Sequence, residues 1–220
     1  MHIPVVILIA LAVVAFVVVL VLVQKRAERA RSEALQQAGV TLGFAFERTA
    51  DLDQLKALAD LPVFNHGHTR RAYNMLSRRT DGGDVKVFDY RYTTGGGKDS
   101  HTWIQTITLY PGGGRGLPDF VLAPEGVFHK IGQAFGYQDI DFDSNPDFSS
   151  RYLLRGADEA AVRAAFTPET LSFFETEPGW TVEVRAGSVG VYRAHKRCKP
   201  EDISTFTERS RAVLRALIRP

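Results

Sequence analysis

Residues 84–110 read DVKVFDYRYTTGGGKDSHTWIQTITLY, and this stretch decides the fold. Residues 84–94 and 101–110 are both rich in β-branched and aromatic side chains, the composition of strands. Gly95-Gly96-Gly97-Lys98 between them gives the backbone freedom for a short connection, so the two runs predict an antiparallel hairpin. Residues 181–185 and 189–194 flank Ala186-Gly187-Ser188 and predict a second hairpin. Hairpins make a sheet antiparallel. The expected fold class is therefore α+β, a mainly antiparallel sheet built from two hairpins with several helices, and a doubly wound α/β sheet is excluded.

Working outward, residues 40–47 read as a strand, and Asp51 caps a helix carrying Leu52, Leu55 and Leu58 that ends before Pro62. Residues 70–79 read as a second helix. Further on come a short strand at 120–122, a helix at 124–135, a strand at 151–155 and a helix at 157–175 broken at Pro168. The final helix, 200–218, places Ile203, Phe206, Ser210, Val213, Leu214 and Leu217 on one face, a stripe that packs against a sheet. Arg211, Arg215 and Arg219 share another face. Ala50-Asp51 and Ala157-Asp158 open similar segments (Leu55-Lys56-Ala57 and Val162-Arg163-Ala164), which fits either a duplicated half-domain or ordinary N-cap grammar.

At the N-terminus, residues 3–23 (IPVVILIALAVVAFVVVLVLV) carry no charged side chain. A helix of that length covers about 30 Å, the thickness of a bilayer's hydrocarbon core. A cleaved signal peptide would want a basic n-region and a shorter apolar run, whereas only Met1 and His2 precede this one. Residues 1–24 are thus expected to be a single transmembrane anchor. Lys25, Arg26, Arg29 and Arg31 follow at once and no Lys or Arg precedes, which places the C-terminal flank in the cytoplasm of a single-pass protein. Residues 25–39 continue as a basic juxtamembrane helix that Gly39 stops, and 40–220 form the soluble α+β domain.

The formal net charge of +2 belongs entirely to the juxtamembrane segment, because 23 basic and 23 acidic residues remain from Val40 onward. That balance excludes a nucleic-acid-binding surface of the usual basic kind. Charge is divided within the domain: residues 40–185 hold 15 basic and 20 acidic side chains, residues 186–220 hold 8 and 3. An acidic body thus carries a basic tail. With the anchor in a bilayer, the tail would turn toward anionic lipid. Lys25, Arg26, Arg29, Arg31, Arg211, Arg215 and Arg219 are the expected contacts at the membrane surface.

No complete catalytic constellation is present. Gly95-Gly96-Gly97-Lys98 lacks the leading Gly and trailing Ser or Thr of a phosphate loop, and it joins two strands. His66 and His68, with one or more of Asp139, Asp141 and Asp143, form the alternative, a membrane-tethered metal-dependent hydrolase; His101 and His129 are further candidate ligands. The run from Asp139 to Asp147 has the alternating acids of a calcium loop, but Ser144 stands where Gly is needed and Ser150 where the bidentate Glu belongs. Cys198, the only cysteine, lies among Lys196, Arg197 and Lys199, charges that would lower a thiol pKa. The leading expectation is a non-enzymatic binding or scaffold domain with no cofactor, whose partners are the membrane, through the N-terminal helix, and a second protein.

LGFAFER, LPVFNHGHTRRAYNMLSRR, VKVFDYRYTT, LPDFVLAPE and DFSSRYLLRG, behind an N-terminal anchor, resemble uncharacterised bacterial proteins with an N-terminal membrane anchor. The resemblance covers most of the chain. It implies an inner-membrane setting and carries over no activity and no catalytic residue.

Overall fold

The computed structural model describes residues 3–80, 82–127 and 138–218, with the side chains of the first helix described at Leu8 and from Leu11 onward. That helix, α1 (Ile3–Thr41), ends in a Schellman motif: the N–H of Phe44 donates to Gly39 O at 2.8 Å and that of Gly43 to Val40 O at 3.1 Å. Gly43, at φ +72°, is the residue that stops the helix. Gly39 stays inside it, where a Cβ would lie 2.4 Å from Leu76 Cδ2, so its role is close approach to the sheet.

β1 (Ala45–Ala50) follows, then α2 (Leu52–Leu58), whose N-cap Asp51 accepts from the N–H groups of Asp53 and Gln54 as the sequence implies. A 3-10 turn at Pro62–Phe64 leads into β2 (His68–Thr80), β3 (Gly83–Thr94) and β4 (His101–Tyr110). After the glycine-rich turns come β5 (Phe120–Pro124), α3 (Pro146–Arg151), β6 (Tyr152–Gly156), α4 (Glu159–Ala165) and α5 (Pro168–Thr176). β7 (Thr181–Arg185), β8 (Ser188–Tyr192) and α6 (Ile203–Ile218) complete the chain. The eight strands among the described residues belong to one antiparallel sheet, in the order β1-β2-β3-β4-β8-β7-β5-β6. Both expected hairpins are there, joined edge to edge through β4 and β8.

The helix expected over 70–79 is instead the strand β2. Its Arg, Ala, Met and Leu favour a helix locally, but β1 and β3 hydrogen-bond it from both sides. A bulge between Tyr73 and Leu76, with Asn74 at φ +53°, shifts the register. It places Ala72 and Met75 in one core and Leu76 in the other, a three-residue spacing that imitates a helix. α3 follows the acidic run that begins at Asp139, of which residues 139–145 are non-helical, with Ile140 buried and Asp141 and Asp143 exposed. Of the helix expected over 124–135, residues 125–127 are helical and 128–135 lie outside the described residues.

Two cores sandwich the sheet. On one face the C-terminal part of α1 (Leu35), α4, α5 and α6 cover Val85, Val87, Val182 and Val191. On the other, α2 and the turn at Pro62–Phe64 cover Phe88, Tyr90, Ile107 and Tyr192. Among the described residues no helix is long and apolar enough to cross a membrane. The transmembrane helix expected over residues 3–23 is thus not supported: the described apolar side chains of α1 run from Leu8 and Leu11 to Val23, and Lys25, Arg26 and Glu28 follow directly. Those apolar side chains are nonetheless open, from 70% exposed at Leu8 to 43% at Val21.

Candidate functional site

Strand alternation in β3 puts Val85, Val87 and Asp89 on the face toward α1, so a carboxylate continues an apolar row. Asp89 is 1% exposed. Arg31 of α1 grips it with two hydrogen bonds, Nε to Oδ2 at 2.9 Å and Nη2 to Oδ1 at 2.8 Å. Asn74 Nδ2 (3.1 Å) and Thr106 Oγ1 (3.0 Å) also donate to it, and Ser32 Oγ of α1 donates to Asn74 Oδ1 at 2.7 Å. From the segment after β8, Arg197 Nη2 donates to Asp89 Oδ2 at 3.1 Å, and Nη1 and Nη2 donate to the two carboxylate oxygens of Glu28 of α1 at 2.6 Å. Two cations and two anions are thereby closed into one network that clamps α1 to β2, β3, β4 and the 193–199 segment.

Burial would raise the Asp89 carboxyl; the hydrogen bonds and charge of Arg31, with the charge of Arg197, more than offset it and hold the group below its ordinary range. Glu28 is lowered by its hydrogen bonds to Arg197. Burial works against the Arg197 cation, yet Glu28 and Asp89 together raise it above the ordinary arginine value.

Beside the clamp lies a cleft of 450 Å³. Trp180 and Phe206, with rings 5.7 Å apart, form its aromatic wall, and the Arg193 guanidinium lies 4.6 Å over the Trp180 ring. Lys196, Arg197, Lys199 and Arg209 add positive charge, against the single carboxylate of Asp202. Cys198 also lines it, half-buried, with its thiol against Lys199 O at 3.3 Å. Burial, helped by Asp202, pushes that thiol up to about 12, the reverse of the activation its basic neighbours suggest.

The cleft and the first turns of α1 beyond Val23 share one end of the molecule. Glu28, which holds Arg197, lies five residues past Val23, about 8 Å along the helix axis. At that end Arg71 and Arg91 also sit directly opposite each other on β2 and β3. Like charges so placed are unfavourable.

On the opposite face Glu183 is fully buried under the Pro62–Phe64 turn, accepting from Val63 N at 3.1 Å and Tyr192 OH at 2.9 Å. Burial raises it to about 7. Nearby, Tyr92 OH meets His195 Nε2 at 3.0 Å, and His195 stacks on Trp103 at 3.8 Å.

The residues expected to hold a metal are not brought together. His66 packs edge-on against Tyr92, its pKa lowered by burial, while His68 bonds Thr69 and Gly95 O. Asp139 accepts from the N–H groups of Ile140 and Leu154 beside β6, at the far side of the sheet, and Asp141 and Asp143 are exposed. Among the described residues no group of three or more His, Cys, Asp or Glu lies where it could hold a metal ion. His129 and Arg219 lie outside the described residues.

Of the residues expected at a membrane surface, Lys25, Arg26 and Arg29 are exposed on α1, whereas Arg31 is committed to Asp89. Arg211 lines a small pocket with Leu42, which lies about 28 Å along α1 from Val23, and Arg215 is exposed one turn further on. The clamp itself was not foreseen. A carboxylate at the sixth position of DVKVFDYRYTT, on the face of two valines, is the signal that marks Asp89; nothing local marks Arg31 or Arg197 as its partners.

No family model matches the chain, and no curated protein matches it. Among solved structures, the crystal structure of the mycobacterial trehalose monomycolate transport factor A, TtfA, is similar. The two are 15% identical and superpose with a TM-score of 0.60, covering 87% of this chain and 98% of that one. At that identity the likeness is one of fold: the eight-stranded α+β architecture has a counterpart over nearly the whole length of a mycobacterial protein.

Proposed function

We propose that this chain is a non-enzymatic accessory module tethered to a bacterial inner membrane by the N-terminal part of α1, with its α+β domain on the cytoplasmic side, where it serves a transport assembly. The observation that carries this reading is the contrast along α1: the side chains of Leu8 and of residues 11–23 are open and apolar, while Glu28, Arg31 and Ser32 are clamped into the sheet. A helix fixed so firmly at one end and so apolar at the other is a rigid stalk. Lys25, Arg26 and Arg29 behind the apolar stretch favour the cytoplasmic orientation. Arg71 opposite Arg91 is explained when that end faces anionic lipid, which offsets their repulsion. The transport role rests on the fold shared with a protein named as a transport factor.

Expression of the full chain in a bacterium tests the tether and the role together. The protein should stay in the membrane pellet through alkaline carbonate extraction, and deletion of residues 3–23 should release it. In mild detergent it should copurify with a multi-pass transporter at fixed stoichiometry. Release of the full chain by carbonate would overturn the tether, and purification without any such transporter would overturn the accessory role.

A further inference from the structure

We propose that the cleft between the 193–199 segment and the start of α6 is a binding site for the headgroup of an anionic phospholipid in the membrane that holds α1, a proposal that rests on the tether inferred above. Charge gives the first reason. Arg193, Lys196, Lys199 and Arg209 ring the cleft with Arg197, and Asp202 is the one acid among the described residues that line it. Arg197 is occupied by Glu28 and Asp89, whereas Lys196, Lys199 and Arg209 are in no ion pair among the described residues. A phosphodiester is the anion such a fork of guanidinium and ammonium groups accepts.

Shape and composition give the second. The partly exposed ring of Phe206, packed against the buried Trp180, makes one wall, so the cleft offers cations and apolar surface side by side. That pairing matches a lipid at the water interface, where a phosphate adjoins glycerol and acyl carbons; free inorganic phosphate has no use for the aromatic wall. Position gives the third. Arg197, tied to Glu28, stands about 8 Å beyond Val23 along α1. The polar layer of a bilayer is about 5–8 Å deep on each side. The clamp therefore holds the cleft at the level of the headgroups, within reach of flexible lysine and arginine side chains. Arg211 and Arg215, further along α6, stand well clear of it.

The test uses the full chain in nanodiscs, with a benzophenone photo-crosslinker replacing Thr205, an exposed residue lining the cleft, and a second variant carrying it in place of Phe16 on the apolar part of α1. The discs contain phosphatidylcholine with phosphatidylglycerol, and crosslinked lipid is identified by mass spectrometry. The Thr205 position should capture phosphatidylglycerol several-fold above its share of the disc. The triple variant Arg193→Gln, Lys199→Gln, Arg209→Gln should abolish that preference while circular dichroism and the Phe16 crosslink stay unchanged. Millimolar inorganic phosphate should compete poorly; if it displaces the lipid fully, the site is one for free phosphate and the proposal is overturned. Crosslinking at Phe16 but none at Thr205, or capture without preference, overturns the cleft and leaves the tether standing. No lipid at either position overturns the tether, and the cleft proposal with it.

Discussion

At Asp89 one buried carboxylate is shared by two arginines, an amide and a hydroxyl from four separate parts of the chain. Replacing it by Asn leaves Arg31 and Arg197 buried without their common anion. A loss of about 3–5 kcal/mol is expected on breaking such a pair, to be read from urea unfolding of the protein in detergent. Gly39→Ala sets two effects against each other. Ala gains about 1 kcal/mol of helix propensity over Gly, but the new methyl would meet Leu76 Cδ2, and overpacking costs about 1–3 kcal/mol. Net destabilisation is expected, and pairing it with Leu76→Val should recover most of the loss. Glu183 governs pH dependence. Below the unfolded carboxylate range both states hold its proton. As pH rises to about 7 the unfolded chain releases a proton that the folded chain keeps, so stability falls, by about 3 kcal/mol in all. Asp89, held low, acts in the other direction: its contribution is present at neutral pH and is lost as pH falls through its folded value. The thermal midpoint should therefore drop by roughly 6–12 °C between pH 5 and pH 8. Glu183→Gln, which keeps an acceptor for Val63 N–H, should largely remove that drop. An unchanged slope in the variant would contradict this assignment.

Among the elements, the two hairpins were legible because their sequences alternate and their turns are marked. The β7–β8 turn has Ala186 at φ +46° and Gly187 at φ +73°, the left-handed pair of a type I′ turn. Ala is poorly suited to that position. Ala186→Asn keeps the backbone N–H that donates to Asp119 Oδ1 and should stabilise the protein by about 0.5–1 kcal/mol, measured by chemical denaturation. β2 was not legible, because the bulge at Asn74 replaces the two-residue period with the 72–75 spacing of a helix. The end of α1 was legible only in part: Gly39 marks a close approach and Gly43 the stop, and sequence alone does not separate the two roles. The clamp was hidden for a simpler reason. Arg31, Asp89 and Arg197 are separated by 58 and 108 residues, so only the folded sheet brings them together.

Over the whole molecule, the clamp turns an apolar helix and an acidic body into a single oriented object. The basic cleft, Arg71 and Arg91 cluster at the end where the apolar part of α1 begins, while Arg211 and Arg215 lie toward the other end. Sequence composition assigned a basic tail to the membrane as one unit; the fold divides that tail, because α6 carries its later arginines away from the segment that Glu28 holds. Spin labels on the full chain in nanodiscs, with Cys198 replaced by Ser, test this orientation directly. One label is placed at Lys199 and one at Arg215, and their depths are read by power saturation with oxygen and a water-soluble nickel chelate. The Lys199 label should lie at the level of the lipid headgroups and the Arg215 label in bulk water. Equal depth in water for both labels would contradict it.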